Sequence, residues 1–266
     1  MENSNSKTVL FITGAFVHHS GWEPWKAYFE SKGYKTLNPA WPFKDMPTAA
    51  DLRNRQPNDT DLAALTLEEL VDHYANIAKS LPEKPIAVGH SLGGLITQIL
   101  VSRDVVAAGV AIHPVAPQGI IPYEFSFLKA GYKALGFFTD IHKTYLMSLS
   151  DWQYAFTNEM TLDEQKATWE ANTIPESKTV ARGGLTSAAK VDFDSPHVPL
   201  LITSGSLDNI IPPHLNIRNY NAYNKDNGSV TDYKEFPGRN HFVVGQPTWQ
   251  EDADYILEWL GRQSLG

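Results

Sequence analysis

Residues 85–94 read Pro-Ile-Ala-Val-Gly-His-Ser-Leu-Gly-Gly. The apolar run at 85–89, bounded by turn residues, has the form of a strand buried on both faces of a parallel sheet. The stretch at 92–101 that follows it has helical character. Between them stands Gly89-His90-Ser91-Leu92-Gly93, a Gly-x-Ser-x-Gly motif in a strand–turn–helix setting. A serine on so tight a turn adopts strained φ/ψ, and its Oγ stands clear of the sheet only if neighbouring positions lack Cβ atoms. The backbone N–H of Leu92 then heads a helix, where it faces any negative charge that develops nearby.

The same alternation extends along the chain in both directions. Strands are predicted at 8–13, 34–38, 108–112, 200–203 and 233–236. Helices are predicted between them, at Leu67–Ser80, 214–223 and 251–260. The first of these has Leu67, Leu70, Val71, Tyr74, Ile77 and Ala78 on one face, with Thr66 and Glu69 placed to form a capping box. Strands alternating with helices specify an α/β fold with a mostly parallel central sheet and flanking helices. The alternation lapses from Pro117 to about Ser195, where helices are expected at 125–134, 150–156 and 162–171, with a glycine pair at Gly183 and Gly184. The expected organisation is therefore one core of residues 1–116 and 197–266 carrying a helical lid insertion at 117–196.

Two further features follow predicted strands. Ser204-Gly205-Ser206-Leu207-Asp208 comes directly after the strand at 200–203, and Gly238-Arg239-Asn240-His241-Phe242 after that at 233–236. Each taken alone is an ordinary turn Asp or loop His. Together they complete the chain order Ser91, Asp208, His241, the order that accompanies a nucleophile elbow and differs from other serine-triad orders. All three should converge on one sheet edge.

These motifs resemble the α/β-hydrolase superfamily, in its serine-hydrolase (esterase- and lipase-like) branch with a helical lid. The resemblance covers nearly the whole chain and is strongest at 7–22, 85–113 and 198–260. It implies acyl transfer with Ser91 as nucleophile, His241 as base and Asp208 as its orienting partner. It also implies an oxyanion hole built from the N–H of Leu92 and a second N–H in the loop Thr13-Gly14-Ala15-Phe16. Thr13 stands where the family usually has His, so the second donor is Ala15 or Phe16, with Ala15 preferred. Serine at the elbow disfavours the branches that attack through a carboxylate. No cofactor and no metal are implied. The expected activity is cleavage of a medium-sized apolar or aromatic carboxylic ester. A lactone, amide or C–C hydrolase would use the same triad, and a small-molecule binding protein could use the same fold without turnover.

The remaining histidines and aromatics supply candidate substrate contacts. His18 and His19 are adjacent and lack a carboxylate at ligand spacing, which argues against metal; the pocket mouth is one of the places open to them. His90 reads as packing under the elbow. His113 divides between a structural role and substrate contact. Twelve of the thirty Phe, Trp and Tyr fall between Pro117 and Pro196. Of the aromatic residues there (Phe125, Phe127, Tyr132, Phe137, Phe138, Trp152, Tyr154 and Phe156 among them), some should roof Ser91. Phe16, His18, His113, Phe125, Phe138, Trp152 and Phe156 are taken as the candidate contacts.

Composition limits the partners. The 266 residues are 42% hydrophobic and 20% charged, enough apolar material for a sizeable core and no case for global disorder. A net charge of −8, from 22 basic and 30 acidic residues, argues against nucleic acid and anionic membranes. There is no Cys, which excludes disulfides, thiolate metal sites and a cysteine nucleophile. The polar start of the chain and the lack of any apolar run near the roughly 20 residues of a membrane span point to a cytoplasmic protein acting on a small molecule. Oligomeric state is not legible.

Overall fold

The computed structural model describes residues 7–55, 59–136 and 138–265. The polar start of the chain before Lys7, and Phe137, lie outside the described residues. Six parallel strands make one sheet: β1 Thr8–Ile12, β2 Lys35–Leu37, β3 Ile86–His90, β4 Ala108–Ile112, β5 Leu200–Gly205 and β6 Thr231–Phe236, in the order β2-β1-β3-β4-β5-β6. Every strand falls on a predicted run. β1, β3, β4 and β5 are buried along their whole length, whereas the edge strands β2 and β6 are partly exposed and correspondingly more polar.

Helices α1 (Glu23–Ser31), α2 (Ala49–Arg53), α3 (Thr60–Ala64), α4 (Leu67–Ser80) and α5 (Leu92–Ser102) precede β4. Between β4 and β5 lie α6 (Phe125–Leu135), α7 (Leu149–Ala155), α8 (Leu162–Asn172) and α9 (Lys178–Gly183); α10 (Pro213–Ala222) joins β5 to β6, and α11 (Trp249–Arg262) follows. The capping box of α4 forms as its sequence predicts: Thr66 N–H donates to Glu69 Oε2 at 2.9 Å and Glu69 N–H to Thr66 Oγ1 at 3.2 Å. α1 was not among the predicted helices. Its Pro24 sits in the first turn, where it costs nothing, and its buried face is aromatic, with Trp25 and Phe29 one turn apart.

Alternating side chains divide each strand between two layers. Leu10, Ile12, Ala87, Ala111 and Ile202 pack with α4 and α5, while Val9, Phe11, Val88, Val110 and Leu201 pack with the aromatic faces of α1 and α11. Strand order reverses beside β1, because the chain steps out to β2 and returns past β1 to β3. Open α/β sheets place ligands at such a reversal, outside the carboxyl ends of the strands. Here that crevice is bounded by the loop after β1 and the turn after β3.

The β4–β5 segment is not a detached appendage. Val180, Ala189 and Val191 belong to the same buried cluster as α4 and α5, and a Cβ on Gly183 would lie 2.4 Å from Leu67 Cβ. Residues earlier in the segment build a second cluster, Met147, Trp152, Ala155 and Phe156 with Phe16 and Phe242. Among the described residues no helix is long and apolar enough to cross a membrane.

Candidate active site

Ser91 occupies the turn between β3 and α5 at φ 57° and ψ −119°, a conformation costly for a residue with a Cβ. The surroundings over-determine it. Its N–H donates to Ile112 O at 2.9 Å, and its carbonyl accepts from the N–H groups of Gly94, Leu95 and Val115. The flanking glycines are needed for close approach: a Cβ on Gly93 would lie 2.1 Å from Ile12 O, and one on Gly89 2.1 Å from Gly93 O. α5 thus starts directly against the backbone at the end of β1.

Asp208 lies in the turn after β5 and His241 in the loop after β6. His241 Nε2 is 2.9 Å from Ser91 Oγ, and His241 Nδ1 is 2.7 Å from Asp208 Oδ2. The structure therefore brings the three predicted residues together in a buried row. Asp208 Oδ1 accepts from the N–H groups of Ile210 and Ile211 at 2.9 and 2.7 Å. The His241 loop is pinned to α11 by Arg239, whose Nε donates to Asp252 Oδ2 at 3.0 Å and whose Nη2 donates to Glu251 Oε2 at 2.6 Å.

A second imidazole shares the same carboxylate oxygen. His113, at the end of β4, places Nδ1 2.9 Å from Asp208 Oδ2. An ionised carboxylate only accepts, so both Nδ1 atoms carry protons, leaving His241 Nε2 as an acceptor toward Ser91 Oγ. Burial works to raise the Asp208 carboxyl, but the imidazoles of His241 and His113 outweigh it and hold the group well below the usual carboxylate range. Burial lowers the proton affinity of His113, favouring the neutral ring, and its Nε2 has no partner among the described residues. His113, Asp208 and His241 are the one set of described residues whose ligand-type atoms cluster, within 4.8 Å. Those contacts are the hydrogen bonds just given, with protons on both Nδ1 atoms.

The loop after β1 completes the site. Ala15, Phe16 and Leu92 border the same cavity as Ser91. The Leu92 N–H heads α5, where first-turn N–H groups have no helical acceptor. The Phe16 N–H is already engaged, donating to Glu176 Oε2 at 2.9 Å, whereas the Ala15 N–H has no acceptor among the described residues.

The cavity beside Ser91 holds about 320 Å³. Among the described residues, no charged side chain lines it. Ile120, Leu135, Met147, Ile210, Ile211 and Leu215 contribute aliphatic surface, and among the described residues Gln118 is the one polar side chain besides Ser91, with Phe16, Phe127 and Phe156 the only aromatics. Phe156 also packs edge-on against the His241 ring, with centroids 4.8 Å apart.

Of the candidate contacts, Phe16 and Phe156 border this cavity and the other five do not. Phe125 and Phe138 are 78% and 88% exposed. α6 instead turns Phe127, Ala130, Gly131 and Ala134 toward the cavity, a spacing of three, four and seven residues that was available in the sequence. Trp152 is fully buried behind Phe156, stacked on it at 4.3 Å. His18 is bonded to Ser20 and Met46 O beside a separate cavity of about 50 Å³. His113 is occupied by Asp208, and His90 packs against the back of His241 at 4.8 Å. Two buried residues had no local sequence signal, Lys44 and Glu176, paired at 2.5 Å.

A family model described as "Alpha/beta hydrolase family" matches residues 9–253. No curated protein matches the sequence. Among solved structures the fold is similar to the Paleococcus ferrophilus monoacylglycerol lipase, at 20% identity over 96% of this chain and 94% of that one, TM-score 0.65. It is similar also to a pyrethroid hydrolase from Sphingobium faniae JZ-2, at 15% identity over 95% and 96%, TM-score 0.64. Tomato methylketone synthase I complexed with 2-tridecanone is a third, at 14% identity over 97% and 99%, TM-score 0.68.

Proposed function

The chain belongs to the alpha/beta hydrolase family, and on that premise we propose that it is a serine hydrolase cleaving carboxylic esters that carry an uncharged, largely aliphatic group. The observation that carries this reading is the buried relay Ser91 Oγ–His241 Nε2 and His241 Nδ1–Asp208, with Ser91 in the wall of a cavity that no charged side chain of the described residues lines. His241 takes the Ser91 proton as Oγ attacks the ester carbonyl, and Asp208 stabilises the imidazolium that results. The N–H groups of Leu92 and Ala15 hold the tetrahedral oxyanion. The imidazolium returns its proton to the leaving alcohol, and water activated by His241 then releases the acid. Helices α6 and α9, which border the cavity, serve as part of its lid.

The aliphatic lining favours chain length over aromatic character. Each methylene added to a p-nitrophenyl ester, starting from the acetate, should raise kcat/KM about fourfold, the equivalent of about 0.8 kcal/mol, until the cavity is full. Ala134 is buried at the cavity wall. Ala134→Phe should stop that climb at a shorter chain and leave acetate turnover unchanged. The first test is covalent: a fluorophosphonate should modify native protein at Ser91, read by peptide mass. Unlabelled Ser91 in folded protein overturns the reading, and a flat chain-length series overturns the substrate class.

A further inference from the structure

We infer that Glu176 is a positioning residue for the oxyanion loop, holding it in the one arrangement that leaves the Ala15 N–H free for substrate; this rests on the serine-hydrolase reading above. The loop Thr13–Phe16 is held at both ends. At its start, Trp41 Nε1 donates to Thr13 O at 3.0 Å. At its end, Glu176 Oε2 accepts the Phe16 N–H, while the Phe16 carbonyl accepts from Ile174 N–H at 3.0 Å. Phe16 has a φ of 68°, a conformation that a bulky residue keeps only when its surroundings impose it. With the Phe16 N–H directed to the carboxylate, the peptide plane before it is fixed as well, and Ala15 supplies the unpartnered donor at the cavity.

A bare carboxylate this close to a developing oxyanion would oppose catalysis. Lys44 removes that charge: its Nζ lies 2.5 Å from Glu176 Oε2 with both side chains under 5% exposed. The same ammonium sits 3.5 Å from the centroid of the Trp41 ring, so the neutralising group is attached to the residue that holds Thr13. Glu176 Oε1 accepts from Ser177 N–H at 2.9 Å, and the Glu176 backbone pairs with Tyr145, which keep the carboxylate from following the loop if the loop moves. Glu176 touches no atom that reacts. Its effect passes through the backbone of Phe16.

The experiment compares Glu176→Gln with the double variant Lys44→Met/Glu176→Gln in the full-length protein. In the single variant the buried ammonium loses its counter-charge, and an amide oxygen kept toward Lys44 Nζ and Phe16 N–H sets NH₂ against the Ser177 N–H, while the opposite orientation sets NH₂ against the ammonium and Phe16 N–H. We expect kcat to fall about 10²-fold, the size of a lost oxyanion donor, with KM within threefold. Affinity for an aliphatic trifluoromethyl ketone, which forms the oxyanion, should fall in parallel, while affinity for the product acid stays unchanged. The double variant removes the ammonium and frees the amide oxygen for Phe16, so it should recover at least tenfold in kcat. Wild-type kcat in the single variant, or equal loss of trifluoromethyl ketone and product acid binding, overturns the role of Glu176. If the single variant does not fold, the double variant decides alone: trifluoromethyl ketone affinity within tenfold of wild type supports the role, and a larger loss overturns it. Absence of fluorophosphonate labelling in the wild type would instead sink the serine-hydrolase reading itself.

Discussion

Replacing Ser91 with alanine is expected to lower kcat by about 10³-fold or more while the fold persists. The two effects separate because Ser91 is held by its backbone. The bonds to Ile112 O and from Gly94, Leu95 and Val115 do not involve Oγ, and alanine has the same Cβ in the same strained φ. What is lost is one hydrogen bond to His241 Nε2 in a buried site, a cost of about 1 kcal/mol, or about 2–4 °C in Tm. Turnover of the best chain-length ester, measured beside thermal unfolding, checks both parts. Retained turnover in folded Ser91→Ala protein would remove Ser91 from the mechanism.

Asp208→Asn is expected to be comparably damaging, by about 10⁴-fold in kcat, and here stability should suffer as well. Asp208 divides its work between two oxygens: Oδ1 takes two backbone N–H groups and Oδ2 two imidazole N–H groups. An asparagine that keeps its oxygen toward Ile210 and Ile211 presents an NH₂ group to two Nδ1–H donors. His241 must then move its proton to Nε2, where it faces Ser91 Oγ and cannot accept from it. His113 must make the same exchange, putting a buried N–H where Nε2 has no partner. The opposite amide orientation sets NH₂ against the backbone donors instead. Either way at least one buried donor is stranded, at a cost of about 1–3 kcal/mol. The dependence on pH has a definite sign. The folded-state carboxyl is held below its unfolded value near 4, so its stabilising contribution is complete above that value and is lost as pH falls further. The Tm gap between wild type and Asp208→Asn should therefore be widest at neutral pH and close below about pH 4.

Much of this architecture was legible before any coordinates. The central strands announced themselves because strands buried on both faces must be apolar throughout, and α4 because its cap is written in four consecutive residues. Ser91, Asp208 and His241 were legible because each follows a strand, and parallel strands deliver their carboxyl ends to one edge. The substrate contacts were not. Aromatic content drew attention to Phe125 and Phe138, yet α6 presents its smaller residues inward, since space for a ligand is made by side chains that leave it. Glu176 left no local trace either. It meets Phe16 from 160 positions away, and no periodicity connects the two.

That separation has a consequence for how the protein comes into being on the ribosome. The elbow carrying Ser91 is complete once β1 to β4 and α1 to α5 have emerged, but the Ala15 turn waits for residue 176, and the partners of Ser91 for residues 208 and 241. The layer over the first strand waits as well, until Trp25 can reach Val244 O and Tyr34 can reach Leu265 O. A nascent chain that has not yet reached residue 241 thus displays Ser91 without the two side chains that the folded protein sets beside it.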